Sequence, residues 1–595
     1  MVAIPLGTAI LIALAGGRLG RRTLGIITTL ALALSFGAGA SMIATLRDRP
    51  SLTAFIGPWL PLPGADLSLV LDSSMLAVAL AVTGVSALIA LYSIDYLATD
   101  RGLQRYFAAF ALLVTGTLLV VLASNLLLLF AGWELAGVAA YLLVGHHRDH
   151  VPGAHAAVHL FLVERVGDAA LLSGILVLLS ELHTVDLAQL GGAAIEHGSM
   201  SGSARAAARA LLLIGALAKS AQFPLHAWLV DSAEASTPVS ALLQTVAVTS
   251  GVVLLMRLRS TLVPDVLQAA ALIGGLTALG AALVAIAQRD VRRVLAWSTI
   301  SQVGLMFVAA GLGSLFAARF QLIAHALLKA VLVLGAGSVR RATGDESDVA
   351  RYGGLGTRMR WTAGAFGVGT LALAGIPPAA GFFAIAAIVS AALSENGALL
   401  TALVLLAVAA SAFAGVRLFT LIFVAPPTVE REAHEPPPLQ DLPFVLLALG
   451  ALGFGAVVSA GILPIGSGPT DITPPWLLIA TFGITLAAAS SAWLAYRHGL
   501  SRAGGVEHAM RWARDGFGSE TVYARGLSRP VAAVGRALEA GAEQVDRRIA
   551  DGAWSRGLFL ARTLRRALPE GARARQALML AGTVALLAFW TLAGR

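Results

Sequence analysis

Of the chain's 595 residues, 57% are hydrophobic and only 13% are charged, about half the charge density of a soluble domain, so the composition predicts an integral membrane protein. Cysteine is absent, which excludes iron–sulfur ligation, thiol catalysis and disulfides on this chain. The net charge of +9 sits mainly in arginines of short loops and a C-terminal stretch, the pattern of membrane topology and not of nucleic-acid binding.

Apolar runs of about 20 residues, enough to cross roughly 30 Å of hydrocarbon, recur along the chain. The first, residues 2–16, is followed and not preceded by arginines (Arg18, Arg21, Arg22), so it reads as a retained helix and not a cleaved leader. Further spans are expected over 23–46, 75–96, 104–122, 124–145, 155–181, 205–232, 238–258, 265–287, 292–313, 315–338, 361–394, 397–425, 443–462, 474–497 and 575–593. The fold class is thus an all-α membrane protein of about sixteen transmembrane helices. Loops after odd-numbered spans carry most arginines, including Arg101, Arg105, Arg148, Arg289, Arg292, Arg293, Arg340 and Arg341. The positive-inside rule makes those loops cytoplasmic and turns both termini outward.

Two spans are expected to break in mid-membrane, the seventh at Phe223–Pro224 and the twelfth at "AGIPPAAGFF" with Pro377, Pro378 and Gly381. Proline removes a backbone donor and clashes with the preceding turn, and interrupted helices at corresponding places mark inverted-repeat transporters. Helices 1–3 (residues 1–103) then precede a first repeat of helices 4–8 (104–260) and a second of helices 9–13 (261–425). Helices 14–15 follow (426–497). An arginine-rich, partly amphipathic stretch (498–574) reads as a long lateral helix region on the cytoplasmic side, and 575–595 as a terminal anchor helix.

Of the 42 Lys+Arg residues only two are lysine, Lys219 and Lys329, and both lie inside apolar spans. Arginine holds its proton in proteins, whereas a desolvated lysine can release one, so lysine belongs where a cation must cycle. Ionisable groups at mid-bilayer are costly and are functional candidates by default. Glu134 lies near the centre of span five and is the expected partner of Lys219. Asp168 lies deep in span six beside Glu164 and Arg165, and His325 stands four residues before Lys329 on one helix face. His226, in "FPLHAWL", is a further supporting candidate. Two structural ion-pair lysines are the alternative to proton chemistry. No GxGxxG or GxxxxGK[ST] phosphate loop and no HExxH motif stands out, and neither cofactor nor metal is expected on the chain.

The stretches "NLLLLFAGWELAGVAAYLLVGH", "ERVGDAALL", "AKSAQFPLHAWLVDSAEASTPVSALL", "VLAWSTISQVGLMFVAAG", "AHALLKAVLVLGAGSV" and "LAGIPPAAGFF" resemble the antiporter-like membrane subunits of respiratory complex I. They run in order over about residues 65–425, and the tail after residue 500 is similar to the lateral helix of the distal, L-type branch. The resemblance implies a proton-translocating subunit of NADH-quinone oxidoreductase. In that reading Glu134 and Lys219 form the coupling pair of the first half-channel, His325 and Lys329 form the central relay, and Asp168 matches the aspartate of an NRVGD-like element. It also implies that NADH, FMN, iron–sulfur clusters and quinone belong to partner subunits. The partners are the other membrane-arm subunits, the adjacent M-type subunit above all, contacted through the lateral helix within the plasma-membrane bilayer.

The chain departs from the family at several places. Gln244 and Gln321 stand where the family usually has histidine, Glu164 where it has asparagine, and Ile385 at the position of the second broken helix's lysine, with no ionisable residue between Arg360 and Glu395. Glutamine hydrogen-bonds but does not titrate, and isoleucine does neither. Arg417 is a candidate fixed charge for the exit. Two other readings stay open: a homologous subunit of an Mrp-type antiporter, membrane-bound hydrogenase or inorganic-carbon transporter, and a structural paralogue with an inactive exit channel.

Overall fold

In the computed structural model the chain divides into two units, Met1–Phe517 and Gly518–Arg595. The structure describes residues 1–147, 151–190, 202–259, 261–262, 264–395, 397–427, 433–459, 462, 474–498 and 507–518. The expected lateral helix (498–574) and terminal helix (575–595) lie outside the described residues apart from 498 and 507–518.

Helices α1 (Ala3–Ala15) and α2 (Arg21–Ala40) lead into a two-stranded antiparallel hairpin, β1 (Ser51–Pro58) and β2 (Asp66–Asp72). No element was expected there, yet Leu67, Leu69 and Leu71 carry the period-two signal of a half-buried strand. Asp72 then caps α3 (Ser73–Tyr96) by accepting from Met75 N at 2.8 Å. After α4 (Leu103–Leu122), Asn125 caps α5 (Leu126–Val144) in the same way, accepting from Leu128 N at 2.9 Å.

α6 (Val151–Leu182) is long and carries its charges at mid-length. The seventh helix is broken as expected, into α7a (Gly202–Lys219) and α7b (Ala227–Asp231). α8 (Thr237–Arg257) is distorted by a 3₁₀ turn at Ala247–Thr249. α9 (Pro264–Ala287), α10 (Val291–Gly311) and α11 (Leu315–Ala342) follow. The twelfth is again broken, into α12a (Arg360–Ala374) and α12b (Ala380–Glu395), before α13 (Gly397–Phe419), α14 (Pro438–Ser459) and α15 (Pro475–Tyr496). The short α16 (Glu507–Arg514) stops where Gly516 and Phe517 turn left-handed, with φ of 62° and 56°.

Among the described residues eleven helices are long and apolar enough to span a membrane. α6, bearing Glu164, Arg165 and Asp168, and the two broken helices fall outside that number. α8 and α10 are wholly enclosed, and α11 nearly so, forming the centre of the bundle.

The connections sort onto two faces. On one, Arg21 donates to Ala98 O, Arg105 to His146 O, Arg292 pairs with Glu234, and Val291 N donates to Ser347 O. The loops after α1, α3, α5, α7b, α9 and α11 therefore share a face, the arginine-rich one. On the other, Asn125 Nδ2 donates to Asp66 O, Leu126 N to Val185 O, and Arg257 to the carbonyls of Val121 and Ala123. Each helix thus crosses in turn, and five crossings separate the start of α4 from that of α9. The second set of five, with the same order of three unbroken helices, one broken and one more, consequently begins on the opposite face. In both sets the first two helices cross at bare glycines. A Cβ on Gly132 would lie 2.7 Å from Gly116 O, and one on Gly304 would lie 2.6 Å from Gly274 O, the close approach that small residues allow between membrane helices.

Candidate functional site

The first centre gathers five charged side chains from three helices. Lys219 is the last residue of α7a, at the negative end of its dipole, where a cation is favoured. The chain then breaks: Ala221 adopts φ +49°, a strained value for a residue with a Cβ, and Trp228 Nε1 donates to Ala218 O at 2.8 Å across the gap. Lys219 Nζ donates to Glu164 Oε2 at 3.1 Å and to Trp133 O at 3.2 Å, and lies 5.4 Å from the Trp133 ring centre. Lys219 and Glu164 are each 2% exposed.

The partner of Lys219 is therefore Glu164, not Glu134. Glu134 is held instead by Arg165, which also pairs with Asp168 at 2.6 Å. Trp133 Nε1 donates to Asp168 Oδ1 at 2.5 Å and completes the ring of contacts. Glu164 and Asp168 are four residues apart on α6 and so face the same way. Gly137 makes room: a Cβ there would lie 2.8 Å from Glu164 Oε2 and 2.9 Å from Lys219 Nζ. Three carboxylates meet two cations, so the cluster is neutral only when it binds one further proton, and desolvation makes any net charge expensive.

The second centre lies on α11. His325 and Lys329 are fully buried. Lys329 Nζ donates to Leu295 O at 3.1 Å and to Ser298 Oγ, and no carboxylate pairs with it among the described residues. His325 Nε2 contacts Gln244 O at 3.0 Å. A carbonyl only accepts, so Nε2 carries the hydrogen, and a neutral ring then keeps its lone pair on Nδ1. Gln244 Oε1 accepts from Thr299 Oγ1 at 2.8 Å. A cavity of about 20 Å³, room for about one water, is lined by Gln244 and Leu295 and by Arg292 and Arg340 of the arginine-rich face.

α8 joins the two centres. Ser220, next to Lys219, donates from Oγ to Val248 O at 2.6 Å, while His325 contacts Gln244 O. The two acceptors are four residues apart, about 6 Å along the axis. The distorted turn of α8, Ala247–Thr249, includes Val248, one of the two acceptors.

Two buried polar contacts beside Lys329's helix and its neighbour α10 are uncharged. Gln321 Nε2 donates to Gln302 Oε1 at 2.6 Å, and Ser301 and Ser411 hydroxyls lie 3.1 Å apart. Ile385 is 1% exposed, with Cδ1 2.8 Å from where a Cβ on Gly375 would stand. Arg417 does not replace the missing charge. Its NH2 donates to Gln288 O at 3.0 Å and its guanidinium lies 5.5 Å from the Tyr496 ring centre, so it caps the end of α9 on the arginine-rich face, opposite the far end of α12b. His226 is buried in the seventh-helix break against Trp297 and Phe223, with ring centres 5.2 and 5.9 Å away.

Comparison with known proteins accounts for this architecture. Residues 123–412 match the family described as NADH:quinone oxidoreductase/Mrp antiporter, TM, and residues 59–107 match the complex I chain 5 N-terminus. The chain is 38% identical to NADH-quinone oxidoreductase subunit L of Mycobacterium tuberculosis, over 78% of this chain and 75% of that protein. It is 34% identical to the same subunit of Rickettsia bellii, over 77% of this chain and 74% of that protein. Among solved structures, the Mrp complex from Dietzia sp. aligns with a TM-score of 0.71 at 22% identity, covering 81% of this chain and 98% of that one. An archaeal membrane-bound sulfane sulfur reductase aligns with a TM-score of 0.70 at 21% identity, covering 83% and 98%. With 38% identity to the Mycobacterium tuberculosis subunit over three quarters of that subunit's length, and its buried charges set on two successive five-helix sets, the chain belongs to the NADH-quinone oxidoreductase subunit L family.

Proposed function

We propose that this chain is the proton-translocating distal membrane-arm subunit of an NADH:quinone oxidoreductase, coupling quinone reduction in partner subunits to proton transfer through its own buried charges. The observation that carries the reading is the pair of enclosed centres joined by α8: a five-charge cluster around Lys219, and Lys329 with His325 one turn away. In the closed state Glu164 holds the Lys219 ammonium. An electrostatic change arriving from the neighbouring subunit, through Glu134 and Arg165, pulls the acidic side chains of α6 away. Lys219, left desolvated, then gives up its proton toward His325 Nδ1 and Lys329. Glu134, Lys219, His325 and Lys329 are the relay, with Asp168 and His226 in supporting positions.

The chain itself carries no redox cofactor in this reading; NADH, FMN, iron–sulfur clusters and quinone act in partner subunits. The arginine-rich face is cytoplasmic, the termini face outward across the plasma membrane, and the segment after residue 498 reaches the adjacent M-type subunit. A second reading is favoured by one observation, Ile385 buried where a charge is expected: the second repeat then couples or scaffolds without releasing protons itself. The test is Lys329→Met in the intact complex reconstituted in vesicles. Preserved NADH oxidation with a lower ratio of protons moved to electrons supports the relay, and an unchanged ratio supports the second reading.

A further inference from the structure

Asp100, His146 and His147 stand apart from both buried centres, on the arginine-rich face. Asp100 lies in the connection between α3 and α4, and the two histidines directly follow the end of α5. Because α4 and α5 are successive crossings, the two connections return to the same side and meet there. One potential ligand atom from each residue lies within 4.8 Å of the others. His147 Nε2 is 2.7 Å from Asp100 Oδ2.

The positions are built and not accidental. Arg105 NH2 donates to His146 O at 2.7 Å and fixes the backbone from which both imidazoles project. The His146 ring packs edge-on to Tyr106 at 5.3 Å and to His147 at 5.0 Å between ring centres. Gly102, at φ +76°, passes close beneath it, so that a Cβ there would lie 3.8 Å from His146 Cε1. His146 is 4% exposed, whereas the His147 side chain is 47% exposed. One ligand is thus anchored and another stays open to the solvent from which an ion arrives.

We propose that Asp100, His146 and His147 form a site for a first-row transition-metal dication, with zinc as the natural fit. Two imidazoles and a carboxylate are the donors that such ions take, and three protein ligands leave a fourth tetrahedral position for water. Ligand atoms about 2.0–2.1 Å from one zinc lie roughly 3.4 Å from each other. The 2.7 Å contact between His147 and Asp100 therefore opens by a fraction of an ångström to admit the ion, and the wider pairs close. The ion replaces the proton shared by His147 and Asp100, and ties the α3–α4 connection to the end of the helix that carries Glu134.

The test uses the full chain in detergent or in the complex, purified without a polyhistidine tag and stripped of metal, titrated with zinc by calorimetry and with cobalt by visible absorption. The expected result is one saturable ion per chain, with the cobalt bands of a four-coordinate site. Asp100→Asn and the surface change His147→Gln lower the affinity about tenfold or more, while His155→Ala, which removes an exposed histidine outside the cluster, leaves it unchanged. No stoichiometric binding, or binding that survives both Asp100→Asn and His147→Gln, overturns the proposal.

Discussion

Lys219 Nζ lies 3.1 Å from Glu164 Oε2, whereas the carboxylate of Glu134 pairs with Arg165. Removing one partner of an enclosed ion pair leaves the other charge uncompensated, at a cost of about 3 kcal/mol or more. Glu164→Gln is therefore expected to lower thermal stability of the purified complex and to abolish most proton transport. Glu134→Gln is expected to spare stability more, because its side chain is 22% exposed. Adding Lys219→Met to Glu164→Gln removes the orphaned charge, so stability recovers while pumping does not. Equal melting temperatures for the two single variants would refute the assignment of partners.

Lys219→Arg retains the charge, and its effect separates a structural ion pair from a cycling one. Arginine keeps its proton even when enclosed, and its wider head must fit a space bounded by Gly137 and Trp133. The expected outcome in vesicles is near-normal assembly and NADH oxidation with a reduced proton-to-electron ratio. A normal ratio would make Lys219 a structural cation.

Much of this arrangement is legible in the residues alone, and the exceptions have physical causes. Hydrocarbon forces every backbone group to bond within its own helix, so spans must be long apolar runs that length alone reveals. The breaks in the seventh and twelfth helices show because proline cannot hide. The choice between Glu134 and Glu164 does not show, since it depends on how α5 and α6 are rotated against α7a. The spacing of Glu164 and Asp168, four apart, was the available signal. The hairpin before α3 is short, and its alternating leucines are outweighed by the apolar runs around it. Arg417 looked available for the exit only until the crossings placed it on the opposite face.

Two glycines on α5 separate packing from function. A Cβ at Gly132 would meet Leu119 Cβ at 2.5 Å and Gly116 O at 2.7 Å, which forces α4 and α5 apart at a cost of about 1–3 kcal/mol. The atoms nearest a Cβ at Gly137 are the tips of the Glu164, Lys219 and Arg165 side chains, which yield by swinging. Gly132→Ala should reduce the yield of assembled complex. Gly137→Ala should assemble normally and lose proton transport, because the displaced atoms are those of the ion pair. Transport at the normal ratio in Gly137→Ala would show that the pairing geometry is not limiting.

Ile385 offers the sharpest test of the second repeat. It is enclosed against the left-handed turn at Gly375, and no carboxylate exists on α12a or α12b before Glu395 to receive a cation. Restoring the family residue by Ile385→Lys therefore buries an unpaired ammonium, which costs a few kcal/mol unless water or deprotonation relieves it. The expected result is poorer assembly and no gain in the proton-to-electron ratio. Ile385→Met, which keeps the volume and adds no charge, should assemble as the parent does. A raised ratio in Ile385→Lys would instead reveal a hydrated route past Gly375, and the exit would then run through α12 after all.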